Sequence, residues 1–174
     1  MEWTPNQMGA AAEAAIAWEA TKLGIPVMRP MFIDCRYDFV FELPSGLIRV
    51  QCKWAPRRED VVVVQARTCR RVADGYERRT YSPAEVDVIA VYCPDVDRCY
   101  VIPIGDIPPS GMMHLRLAPA KNNQLKRLHS AAEYELDQGA IAQLGERCHG
   151  MAEVVGSSPT SSTLEEPRVA RLFS

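Results

Sequence analysis

Hydrophobic and polar positions change period several times along the chain, and each change marks an element. The alanine-rich run Gly9–Ala20 favours a helix, which Asn6 caps, which spans about Gln7–Leu23, and which ends at Gly24 with Pro26 barring a restart. From Tyr37 to Leu43 the pattern alternates, with Phe39, Phe41 and Leu43 on one face. Pro44-Ser45-Gly46 turns the chain, and Leu47–Trp54 alternates again with Ile48, Val50, Cys52 and Trp54 on one face. Arg49, Gln51 and Lys53 take the opposite face, so the two segments read as a hairpin. Val61–Arg67 is a third strand whose four valines predict burial on both faces. Val86–Cys93 and Cys99–Ile104 are two more strands around a turn at Asp95–Asp97, and Asn122–Leu136 reads as helix. Helix, three strands, a short helix, two strands and a helix predict an α/β fold: a mixed β-sheet flanked by helices. No internal repeat is visible.

A chain of 174 residues fits one domain, and 47% apolar with 24% charged residues is ordinary for a globular protein. The apolar runs are far shorter than the roughly 20 residues of a membrane span, and no signal peptide opens the chain. The expectation is therefore a cytoplasmic protein with no membrane partner. The six cysteines contain no C-x-x-C pair and read as reduced, mostly buried thiols; Cys93 and Cys99, flanking a turn, are the pair that could face each other.

Charge is unevenly spread. Residues 49–79 hold nine basic side chains (Arg49, Lys53, Arg57, Arg58, Arg67, Arg70, Arg71, Arg78 and Arg79) against four acidic ones, a local +5 in a chain of net charge -2. Eight of the nine are arginine, whose planar fork suits phosphate, so a polyanion partner is indicated.

From Gly139 onward the periodicity is poor, and Gly156–Thr163 has the composition of a loop. The stretch 139–163 also resembles a translated transfer-RNA gene. Gly156-Ser157-Ser158-Pro159 can be encoded by GGT TCG AGT CCC, a T-loop sequence, and Ala142–Arg147 can encode a D-arm. Allowed codons over Arg147–Glu153 give complementary stem halves around a loop with an alanine anticodon, and Gly139–Ile141 pairs with Thr160–Ser162 as an acceptor stem. The expectation is one folded domain over residues 1–138 and a read-through tail over 139–174, poorly ordered and without catalysis.

Metal-assisted phosphodiester hydrolysis needs oxygen ligands converging on a cation and a positive side chain near the attacked phosphate. Neighbouring antiparallel strands supply this when a carboxylate on one faces a ligand and a lysine two residues apart on the next. Asp38, Gln51 and Lys53 have that layout, and Glu13 on the first helix can add an oxygen; Asp34 and Glu42 are the nearest rivals as ligands.

These residues resemble the PD-(D/E)XK nuclease superfamily, in the branch of intron homing endonucleases and Holliday-junction-resolvase-like proteins. The resemblance covers about residues 6–137. It is carried by Gly9-x3-Glu13, Tyr37-Asp38-Phe39, Val50-Gln51-Cys52-Lys53, Arg78-Arg79-Thr80-Tyr81, Glu85-Val86-Asp87, Val91-Tyr92, and Leu115-Arg116-Leu117 leading to Asn122-Asn123-Gln124.

It implies a restriction-endonuclease-like core and catalytic residues Asp38, Gln51, Lys53 and Glu13. Asp38, Glu13 and the Gln51 carbonyl would bind Mg²⁺, or Mn²⁺, with no organic cofactor. Gln51 departs from the usual acidic residue, so the charge of the metal site rests on Asp38 and Glu13. The implied partner is double-stranded DNA, met by Arg57, Arg58, Arg70, Arg71, Arg78, Arg79 and Tyr81 and by Asn122, Asn123 and Gln124. Cutting both strands implies a homodimer or homotetramer. A site-specific, homing-type endonuclease is the first reading; a junction resolvase or restriction-type nuclease, a catalytically inactive DNA-binding module, and a plain α/β interaction domain are the alternatives.

Overall fold

The computed structural model describes residues 3–32, 34–72, 74–118 and 129–149. The first element is helix α1 (Pro5–Lys22), and its cap is Thr4, two residues before the expected Asn6. Thr4 Oγ1 accepts from the Gln7 N–H at 3.3 Å, while Gln7 Oε1 accepts from the Thr4 N–H at 2.9 Å. This reciprocal pair, with Pro5 needing no partner for a missing N–H, moves the start upstream. Ala12, Ile16 and Ala20 recur at four-residue spacing and are fully buried. Truncating Ile16 to alanine in such a site costs about 2–5 kcal/mol.

Eleven strands and a second helix follow among the described residues. They are β1 (Val27–Met28), β2 (Phe39–Leu43), β3 (Gly46–Trp54), β4 (Arg57–Arg58), β5 (Val61–Gln65), β6 (Arg67–Val72), β7 (Gly75–Thr80), β8 (Val88–Cys93), β9 (Arg98–Pro103), β10 (Met112–Arg116), β11 (His129–Ser130) and α2 (Gln138–His149). The central sheet has the order β1-β2-β3-β8-β9. All its pairings are antiparallel except β3 with β8, so the sheet is mixed.

Alternation along the strands divides the core in two. Phe39, Phe41, Ile48, Val50, Cys52, Val88, Ala90, Cys99 and Val101 face α1 and pack with its Ile16 and Ala20. Ile89, Val91, Cys93, Tyr100 and Ile102 face the other way, onto Val62, Val64, Met113 and Leu115. Those last four belong to a second sheet of order β11-β10-β5-β4. The mixed α/β core is as expected, but among the described residues its second face is covered by a small sheet and not by a helix. Cys93 and Cys99 fall in opposite clusters and do not face each other, because their strand positions differ in parity.

Between β5 and β8 the chain makes the two-stranded sheet of β6 and β7, an arm paired from Arg67–Thr80 to Val72–Gly75. Ala66 breaks the single strand expected over Val61–Arg67; it is buried and its N–H donates to the Gly111 carbonyl at 2.8 Å. Gly111 has φ +68°, and a Cβ there would meet Thr80 Cγ2 at 2.9 Å and the Ala66 carbonyl at 3.1 Å, so the root of the arm needs a glycine.

The helix expected over Asn122–Leu136 is not found in its described part. His129–Ser130 is a short strand, and residues 131–133 form one tight turn. The chain then runs along β9: the Val101 N–H donates to the Tyr134 carbonyl at 2.7 Å and the Leu136 N–H to the Cys99 carbonyl at 2.9 Å. The edge of β9 needs backbone partners, which an extended segment supplies and a helix cannot. Beyond it, the stretch expected to lack order begins with α2, whose Leu144 is buried against the α1-side cluster and whose Ile141 packs there too. No helix among the described residues is long and apolar enough to cross a membrane.

Candidate active site

Asp38 sits immediately before β2. Its N–H donates to the Val50 carbonyl at 2.9 Å, which fixes it opposite the middle of β3. Its carboxylate reaches across the pair: Oδ2 accepts from the Cys52 N–H at 2.7 Å and from Gln51 Nε2. Both bonds land on Oδ2 and leave Oδ1 to a further partner. Gln51 is the one buried polar side chain among the described residues, 8% exposed. Its Nε2 also donates to the Cys52 carbonyl at 3.1 Å, so Oε1 is the atom it can offer a cation.

Burial pushes the Asp38 carboxyl above its ordinary pKa of 3.8. The Cys52 N–H works against the shift, nearby Glu13 adds to it, and Lys53 and Arg29 oppose it. Asp38 therefore feels the charges of Glu13 on α1 and Lys53 on β3, and of the expected catalytic residues it bonds Gln51 directly. Beneath them, burial first and then Asp38 and Glu13 push the Cys52 thiol well above its usual range, so it stays protonated.

A carboxylate desolvated beside a second carboxylate is an electrostatic setting that a divalent cation relieves. The oxygen set of Asp38, Glu13 and Gln51 fits a hard cation such as Mg²⁺, although among the described residues no three His, Cys, Asp or Glu side chains cluster. Glu13 is shared: Arg29 Nη2 donates to its Oε2 at 2.8 Å. Arg29 also lies over the Phe39 ring, 5.0 Å from its centroid. Neither Asp34 nor Glu42 has a bond into this group among the described contacts.

Lys53, two residues beyond Gln51, stands 5.2 Å from the centroid of the Tyr81 ring. Tyr81 departs from the surface phosphate contact expected of it, being 8% exposed and part of the core cluster under the second sheet. The segment that leads from β7 to β8 folds back there and carries the ring beneath β3.

The expected DNA-contacting arginines lie on β4 and on the two-stranded arm. Arg57 and Arg58 are exposed on β4, with Arg57 Nε donating to the Glu59 carbonyl at 2.6 Å. Arg78 and Arg79 are exposed on β7. Arg79 also pairs with Glu85 at 2.5 Å. Arg70 and Arg71 pair through their backbones with Glu77 and Tyr76 across the arm. Asn122, Asn123 and Gln124 lie outside the described residues.

Two participants escaped the sequence reading, and a third, Glu85, entered it only as part of the resemblance. Arg29 pairs with Glu13, Arg36 lies over Tyr81 and binds Glu85, and Glu85 ties the two ends of this segment together. Arg36 sits two residues before Asp38, a same-side spacing that was a usable signal; Arg29 had none.

Asp38 and Gln51 thus meet where the chain enters the β2–β3 pair, with Lys53 two residues farther along β3. The sequence matches the PD-(D/E)XK endonuclease family over residues 3–137, and the chain belongs to that family. It is thus a DNA endonuclease, of a family that typically works with divalent metal ions. Comparison with curated proteins finds no match. Among solved structures, the chain is similar to the bacterial homing endonuclease I-Ssp6803I, with 23% identity and a TM-score of 0.66 over 88% of this chain and 100% of that one.

Proposed function

We propose that the chain is a Mg²⁺-dependent, site-specific endonuclease of homing type that cuts double-stranded DNA. The observation that carries this reading is Asp38 hydrogen-bonded to Gln51 on β3, with the charges of Glu13 and Lys53 acting on its carboxyl. Asp38 through Oδ1, Glu13 and Gln51 through Oε1 would hold the metal, with Mn²⁺ able to substitute on the same oxygens. An ion held by these oxygens would supply Lewis-acid chemistry, making a water more acidic and polarising the scissile phosphate. Lys53 orients the attacking water and offsets the charge that builds on the phosphoryl oxygens. Arg78 on the arm and Arg57 and Arg58 on β4 hold the duplex by its phosphates without reading sequence. The structural neighbour, a bacterial homing endonuclease, supports the homing reading. One such site cuts one strand, so the working form is a symmetric homodimer or homotetramer in the cytoplasm, at the nucleoid when bound to DNA.

Gln51 favours one other reading. An amide at the second ligand position brings no charge, which suits a module that binds DNA and does not cut it. Plasmid carrying the chain's own genomic locus, incubated with Mg²⁺, separates these accounts. A single discrete cut at that locus is expected. Cuts confined to four-way junctions or scattered at short sites would point to a resolvase or a restriction-type enzyme. A retained mobility shift with intact plasmid would establish the binding module.

A further inference from the structure

Lys53 has no hydrogen bond or ion pair among the described contacts, and a free lysine side chain has many rotamers. What fixes it is the Tyr81 ring. The same ring carries a second cation, the Arg36 guanidinium, 4.5 Å from its centroid. Arg36 is itself tethered, because its Nε donates to Glu85 Oε1 at 3.1 Å. Glu85 is held in turn: its Oε2 accepts from the Ser82 N–H at 3.1 Å and from Ser82 Oγ at 3.0 Å, and Arg79 pairs with Oε1. The ring is therefore held between a closed turn and the core, and it presents electron-rich π surface to an ammonium that has no hydrogen bond or ion pair among the described contacts.

We propose that Tyr81 is a positioning residue that holds the Lys53 ammonium in place through a cation–π contact, with Arg36 and Glu85 fixing the ring. The inference rests on the reading of Lys53 as the catalytic lysine. The phenol oxygen plays no part in it; the ring's electron density does.

The test replaces Tyr81 in the full-length chain by phenylalanine and then by phenylalanines with one, two and three ring fluorines. These keep the ring's shape while draining its π face. Single-turnover cleavage of the locus plasmid at saturating protein is read beside duplex affinity by mobility shift and the melting temperature. Measured against the Tyr81→Phe variant as reference, the rate should fall stepwise to about fivefold at three fluorines, the factor that about 1 kcal/mol of cation–π attraction represents. Affinity and melting temperature should stay level. A flat series would overturn the proposal, as would a fall that vanishes when Arg36→Gln is added, since the ring would then serve Arg36. Lys53→Ala runs alongside: full activity there would defeat the catalytic reading of Lys53, separately from the fluorine series.

Discussion

Replacing Asp38 separates its structural part from its chemical one. The carboxylate accepts from the Cys52 backbone N–H at 2.7 Å in a place where Cys52 is 6% exposed. Asp38→Ala leaves that N–H without an acceptor, which costs about 1–3 kcal/mol. The Gln51 amide loses less, because it keeps the Cys52 carbonyl. Asp38→Asn retains an oxygen for the Cys52 N–H and removes the buried charge. The alanine variant should therefore melt about 2–12 °C below the asparagine one, at roughly 2–4 °C per kcal/mol for a chain of this size. The pH dependence has a fixed sign. The folded-state pKa of Asp38 is raised, so ionisation destabilises the fold. The metal-free natural chain should lose stability relative to Asp38→Asn as the pH rises above 3.8, with the gap constant once Asp38 is fully ionised. Both variants should lose cleavage by on the order of a thousandfold or more, since either removes the charged ligand that the proposed metal site assigns to Asp38. Thermal melts across pH without added metal, with single-turnover cleavage in Mg²⁺, measure all of this. Equal melting of the two variants would refute the hydrogen-bond account, and an active Asp38→Ala would refute the ligand account.

Gly111→Ala should lower stability by about 2–3 kcal/mol, from the left-handed backbone and the crowding of the Ala66 carbonyl, with Thr80→Ser restoring part of it in chemical denaturation. At Glu85, burial disfavours the charge, but the Ser82 hydrogen bonds and the charges of Arg36 and Arg79 hold the carboxyl below its ordinary 4.5. Its contribution is thus present above 4.5 and lost as the pH falls through the folded value, so Glu85→Gln should be less stable at neutral pH and indistinguishable in strong acid, as melting curves would show. Sequencing the DNA that encodes residues 139–163 should reveal the four transfer-RNA stems; synonymous codons that break them would reject that origin.

The strands of the central sheet were legible because one face of each is apolar at period two: Phe39, Phe41 and Leu43 read correctly, as did Ile48, Val50 and Cys52. The placement of Asp38 against Gln51, with Lys53 two residues on, was legible for the same reason, since a hairpin with fixed parity puts a flanking carboxylate across from β3. The arm was not. Arg67–Val72 and Gly75–Thr80 have no apolar face to alternate, so their pairing comes from backbone hydrogen bonds that periodicity does not register. Tyr81 looked like part of an arginine-rich surface, yet the turn closed by Ser82 and Glu85 carries it inward. The segment after Ser130 looked helical by composition and is extended because β9 has an open edge beside it.

The most direct measurement of the central claim is single-turnover cleavage of the locus plasmid by the natural chain and by Lys53→Ala, each with Mg²⁺ and with EDTA. Discrete cutting by the natural chain in Mg²⁺ alone, abolished by the lysine change while duplex affinity persists, is the predicted result. Cutting that survives either EDTA or the loss of Lys53 would contradict a metal-dependent site built on Asp38, Gln51 and Lys53.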